Sequence, residues 1–316
     1  MDLSKIISNI ETHLNEITPS HNFEEVYKYG VLPPGKAFRP QLTCAVYSDF
    51  IKNNNFEFLN NSKHSVNYLA SAVEIHHAYT LLHDDLPCMD DDDERRGKPS
   101  THIKFNEWKA LLAGDGLLTG SFALLSKYSG KNNLSLILKY FSWALGAKGL
   151  IQGQVLDLNE EMTLSFENLL ETHQLKTARL IQTAILLGLW TAKDEQNNEN
   201  IYSDSKAMFR LGHSIGIVFQ LLDDLTELVD EELSTHEKSV NPWLNTFSKK
   251  CFETIISELE RIDSTFSSYD LPETKNVLTN YFKKIESLVL SGQENIEKHS
   301  KMDLLPIISL LKRINT

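Results

Sequence analysis

The chain has 316 residues, 41% of them hydrophobic and 23% charged, with a net charge of −12. That charge excludes nucleic acid as a default partner, yet leaves room for a phosphorylated ligand, which needs only local positive charge. Cys44, Cys88 and Cys251 are odd in number, far apart and without metal-ligand spacing, so a reduced, cytoplasmic protein is expected.

In chain order, the opening MDLSKIISNIETHL is polar and amphipathic and lacks the basic end and apolar block of a secretion signal. Apolar residues then recur at spacings of three and four over 3–17, 38–52, 62–86, 106–128, 133–158, 165–192, 203–230, 245–266, 272–290 and 303–313, which predicts helices. No segment alternates like a run of strands. The breaks fall at Pro33-Pro34-Gly35, Gly97-Lys98-Pro99, Gly130-Lys131-Asn132-Asn133 and Asn197-Asn198-Glu199-Asn200. Leu175 to Trp190 is apolar nearly all round, as suits a helix in the middle of a bundle. The longest apolar stretch, Ala184 to Trp190, is too short to cross a bilayer, so no stable membrane insertion is expected. Without a Gly/Ser linker or a repeat, the expectation is one all-α domain over 1–316, a large bundle of about ten helices.

Two acidic clusters carry the chemistry. The first is HHAYTLLHDDLPCMDDDDERRG, His76 to Gly97. An apolar helix runs into Asp84-Asp85, Pro87 ends it, and Asp90 to Asp93 follow. Carboxylates in a row repel one another unless a cation gathers them, and hard oxygen ligands select Mg²⁺. Asp84 and Asp85 point about 100° apart on a helix, so Asp84 is paired with Asp90 as the ligand set. The missing Gly and closing Glu exclude an EF-hand. The second cluster is FQLLDDLTEL, Phe219 to Leu228. Asp223 and Glu227, four apart, share a helix face, while Asp224 points elsewhere. Carboxylates on so apolar a helix are costly unless paired or metal-bound. Lys36, Arg39, Arg95, Arg96, Lys176 and Lys238 supply the Arg forks and Lys point charges that phosphate recognition uses. Taken singly, each of these charges reads as a solvated surface group.

From about Pro33 to Pro242 these residues resemble the trans-prenyltransferases, specifically the bacterial-type farnesyl diphosphate synthases. Gly35-Lys36-Ala37-Phe38-Arg39-Pro40 looks like GKRxRP. His83 to Gly97 resembles the first aspartate-rich motif with its two-residue insertion and RRG. Lys98 to His102, Leu112 to Asp115, Gly153-Gln154 through Asp157 (GQxxD), Lys176-Thr177 and Phe219-Gln220 with Asp223-Asp224 (FQxxDD) follow in order.

The resemblance implies an isoprenoid synthase fold around a central apolar cavity. It implies Mg²⁺-dependent ionisation of an allylic diphosphate, condensation with isopentenyl diphosphate and elimination of a proton to give farnesyl diphosphate. It implies Asp84, Asp90 and Asp223 as metal ligands. Arg95 and Lys176, helped by Gln220 and Lys238, would grip the allylic diphosphate, and Lys36, Arg39, His77 and Arg96 would bind isopentenyl diphosphate. Thr177 and Gln220 would stabilise the cation, and Tyr79 would limit chain length. It also implies a homodimer. Three departures stand out: Ala37 for the usual Arg, Glu227 for the last Asp, and a shortened segment between Leu228 and Lys238 that lacks one lysine. They keep open a rival reading as a non-catalytic or weakly active subunit of a heteromeric synthase. A terpene cyclase would not need Lys36, Arg39 and Arg96, and an HD-type phosphohydrolase built on His77 and His83-Asp84 would leave the second cluster unexplained.

Overall fold

A computed structural model describes residues 1–53, 55–130, 132–198, 201–229, 233 and 240–315. It is all-α, as expected. Among the described residues the one sheet is a two-stranded hairpin, Glu94–Arg95 against Lys98–Pro99, which the sequence reading did not anticipate. Three short α-helices were also missed, Glu24–Val31, Thr101–Lys104 and Gln293–Ser300. None exceeds eight residues, about two turns, too few to display a period. The expected helix over 133–158 is two, Leu134–Leu145 and Leu150–Leu158, broken at Gly146 to Gly149.

Contacts divide the chain into two compact units. The first comprises Met1–Ser142 and Thr183–Ser205. Its axis is the helix Ser65–Asp84, which packs on Leu3–Ile17, Phe38–Ile51 and Glu107–Leu125. It is buried on almost every side, Leu69, Ala72, Val73 and Ile75 being fully so, which is why its sequence lacks a polar face. Full burial of each such aliphatic side chain contributes about 1.5–3 kcal/mol. Asn106 starts the helix Glu107–Leu125 by accepting the Lys109 amide at 3.2 Å, satisfying a donor that the first turn otherwise orphans.

The second unit comprises Trp143–Gln182 and Lys206–Thr316. Ile215, Val218, Leu221, Leu222 and Leu225 bury the later turns of the helix Tyr202–Thr226. The helices Ser248–Ser268 and Pro272–Ser291 both pack on Leu305–Asn315. Trp243 is fully buried and donates its indole N–H to the Leu221 carbonyl at 2.9 Å.

Apolar residues left on the surface are grouped. On Glu107–Leu125, Trp108, Leu111 and Leu112 are exposed on one face, and on Leu150–Leu158, Ile151, Val155 and Leu158 are. The stretch Leu134–Leu158 has a mean hydropathy of 1.2 in its most apolar window and is one-third buried. Length and composition alone would let it cross a membrane, but the break at Gly146 to Gly149 divides it into two helices too short to do so.

Burial holds two imidazoles neutral, His76 and His173, each lowered from 6.5 to about 3, chiefly by desolvation. Between those values the unfolded chain binds protons that the folded chain refuses, so this stability is lost as pH falls below about 6.5. Thermal midpoints should therefore drop steadily from pH 6.5 towards 4. In His76→Leu the slope, read from melts over that range, should fall by about one proton.

Candidate active site

In the first unit, Asp84 ends the helix Ser65–Asp84. The chain then folds back, so that the Asp90 amide donates to the Asp84 carbonyl at 2.9 Å. Asp85 departs from both. It is 3% exposed and accepts Nε and Nη2 of Arg95 at 2.8 and 2.5 Å. Arg95 Nη2 also reaches Asp92 Oδ2 at 2.5 Å. Burial raises the Asp85 carboxyl, and the hydrogen bonds and charge of Arg95 oppose that rise.

The hairpin carrying Arg95 turns through Arg96 and Gly97, at φ 57° and 73°. Two left-handed residues make the primed turn that matches strand twist. Gly97 adopts it without strain, while Arg96 is a non-glycine residue in that region, at a cost of about 1 kcal/mol. Arg96 Nη1 donates to the Pro33 carbonyl at 3.2 Å.

Around Arg96 the structure gathers part of the expected substrate set. Arg39 is half-buried at the start of the helix Phe38–Ile51, and Lys36 is exposed just before it. The Glu74 carboxylate is 3% exposed. Burial raises it, while Arg39 and Arg96 pull it down. His77, one turn on, is held well below its ordinary value by burial, then by Arg39 and Arg96. A neutral His77 can offer one N–H without adding charge. Tyr79 is buried, edge-on to His76 with centroids 4.6 Å apart, and burial pushes its hydroxyl up to about 12.

In the second unit, Lys176 and Thr177 sit in a π-turn, Gln174–Ala178. Such bulges are often found at functional sites. A Cβ on Gly153 would lie 2.3 Å from the Lys176 backbone nitrogen, so only glycine admits this approach of the helix Leu150–Leu158. Four residues on, Asp157 forms an ion pair with Lys176. The Thr177 hydroxyl donates to Gln220 Oε1 at 3.0 Å, and Gln220 Nε2 donates to Asp224 Oδ1 at 3.1 Å. Asp224 is buried, 3.7 Å from His173 Nε2, and is pushed well above the usual carboxylate range by that burial. Asp223 and Glu227 are exposed. Asn241 donates to Glu227 Oε2 at 3.0 Å and to the Asp224 carbonyl at 2.7 Å, which fixes the longer Glu227 side chain.

Lys238 and most of the shortened segment lie outside the described residues. The sequence reading missed Glu74, Asp157, His173 and Asn241 as supporting groups. Only Asp157 had a sequence signal, as the acid closing GQxxD.

Magnesium fits the donor set. Asp84 and Asp90 are hard oxygen donors brought to one turn by the Asp90 N–H to Asp84 carbonyl bond. Mg²⁺ suits such a sparse set, because it keeps waters and binds substrate phosphates.

A family model described as polyprenyl synthetase matches residues 20–241. The farnesyl diphosphate synthase of Bacillus subtilis is 32% identical over 279 residues, 83% of this chain and 89% of that one. The geranylgeranyl diphosphate synthase of Cyanophora paradoxa is 31% identical over 233 residues, 71% of this chain and 72% of that one. A crystal structure of a Helicobacter pylori geranyltransferase complexed with magnesium and isoprenyl diphosphate is 30% identical, with a TM-score of 0.70, over 89% of this chain and 97% of that one.

Gly153→Ala should force the π-turn aside. We expect about 1–3 kcal/mol of destabilisation, read as a lower denaturation midpoint.

Proposed function

Because the chain belongs to the polyprenyl synthetase family and is a prenyltransferase, we propose that it condenses isopentenyl diphosphate with dimethylallyl and geranyl diphosphate to make farnesyl diphosphate, with magnesium. The observation that carries this reading is the division of labour in residues 84–96, where Asp85 is committed to Arg95 and Asp84 stands beside Asp90. Residues 1–316 are read as one functional domain of a cytoplasmic enzyme.

Bound magnesium would neutralise charge on the departing diphosphate. Asp84 and Asp90 would hold metal, and Asp223 would be a further metal ligand. The allylic C–O bond breaks, the isopentenyl double bond forms the new C–C bond, and a proton leaves to a diphosphate oxygen. Arg95, still held by Asp85, would exchange Asp92 for the allylic diphosphate, and Lys176 would exchange Asp157 for it. Lys36, Arg39, His77 and Arg96 would hold isopentenyl diphosphate. Gln220 Oε1, aligned by Thr177 and by the Asp224 end of its amide, presents an oxygen that would face developing positive charge without losing a proton. Lys238 is assigned to the allylic diphosphate on its sequence position alone. Tyr79, buried five residues before Asp84, would stop elongation at fifteen carbons.

A homodimer is supported by the exposed faces Trp108, Leu111 and Leu112, and Ile151, Val155 and Leu158, since exposed apolar patches mark association surfaces.

The test is turnover of purified protein with radiolabelled isopentenyl diphosphate and each allylic primer, with products identified by mass spectrometry. Activity should vanish with chelator and return with Mg²⁺. Asp84→Asn and Asp223→Asn should each lose about 10²–10³-fold. Tyr79→Ala should shift product towards twenty carbons. No condensation by the chain alone would favour the heteromeric-subunit reading, and longer products from the unaltered chain would overturn the role of Tyr79.

A further inference from the structure

Lys98 stands outside the substrate-binding set, yet its ammonium is fixed in place beside it. Its Nζ donates to the Tyr29 carbonyl at 2.7 Å and the Leu32 carbonyl at 3.2 Å, and lies 4.0 Å from the centre of the Tyr29 ring. The Tyr29 hydroxyl returns a bond to the Pro99 carbonyl at 2.6 Å. These carbonyls belong to the end of the helix Glu24–Val31, where the last turn leaves acceptors unsatisfied and negative. One residue further, Arg96 Nη1 holds the Pro33 carbonyl at 3.2 Å. Next comes Gly35, where a Cβ would stand 3.3 Å from Arg96 Nε, and then Lys36 and Arg39. The hairpin therefore grips the incoming chain at 29, 32 and 33, immediately before the residues proposed to bind isopentenyl diphosphate.

We infer that Lys98 is a positioning residue, clasping the 29–33 turn so that Lys36, Arg39 and Arg96 stand ready for one diphosphate. The clasp would work without touching the ligand, because at least two of the three ammonium donors go to backbone carbonyls. An ammonium is an awkward choice for a purely structural clasp here. It is half-buried beside Arg96, and both burial and that like charge oppose its ionised form. An arriving diphosphate relieves the repulsion, so the same charge that costs stability in the empty site adds attraction in the filled one.

The inference rests on the proposed function, and the test separates them. With the allylic substrate saturating, Lys98→Met should raise KM for isopentenyl diphosphate about tenfold, the size of one charged hydrogen bond. In the same variant kcat and KM for the allylic substrate should stay within about twofold, since those contacts are untouched. Lys98→Arg, which keeps charge and donors, should recover most of the loss. Titration of isopentenyl diphosphate alone into the full chain should show the same tenfold weakening, independently of turnover. An unchanged isopentenyl KM in folded Lys98→Met overturns the inference, as does an equal rise in both KM values. Should Lys98→Met fail to fold, Lys98→Gln decides by the same criteria. A wild-type chain without turnover overturns the proposed function instead, and the titration alone then decides the role of Lys98.

Discussion

Crowded charge is the constraint on which the site depends. Asp84, Asp85, Asp90, Asp91, Asp92, Asp93 and Glu94 fall within eleven positions, and they cannot all face the same solvent at no cost. The structure relieves the crowding by sending Asp85 inward to a two-pronged grip from Arg95. That pairing fixes where the hairpin begins, and so where Arg96 and Lys98 stand. It also leaves Asp84 beside Asp90 through a backbone hydrogen bond. A buried pair of this kind is weak as a source of stability and strong as a source of geometry.

The second unit solves the same problem differently. Of the adjacent Asp223 and Asp224, the inward one has no arginine. It sits by an uncharged imidazole and an amide, under conditions that favour its protonated form. The amide of Gln220 is thereby oriented from both ends, with a hydroxyl on its oxygen and a carboxyl on its nitrogen. Together these neighbours decide which atom of the amide faces which way, a choice that the sequence Phe219-Gln220 leaves open.

The long helices were legible because burial imposes a period that survives any detail of packing. The separation of Asp84 from Asp85 was legible too, since it follows from helical geometry alone. The helix Glu24–Val31 and the hairpin at 94–99 were not, because their form is set by tertiary clasps such as that of Lys98 rather than by local pattern. The π-turn at Gln174–Ala178 was equally invisible: one extra residue in a turn leaves the apolar spacing of Leu175 to Trp190 almost unchanged. Gly153 gave its position away only through the motif around it, and its reason, backbone against backbone, needed coordinates.

The left-handed Arg96 has a consequence for anyone improving this protein. Its φ of 57° is a conformation that glycine occupies freely. A selection for heat resistance alone would reward Arg96→Gly, by relief of about 1 kcal/mol of backbone strain, and would erase a guanidinium in the same step. On the role proposed for Arg96, robustness and ligand capture compete there for a single codon, so sequences optimised by thermal screening need a counter-selection at that position.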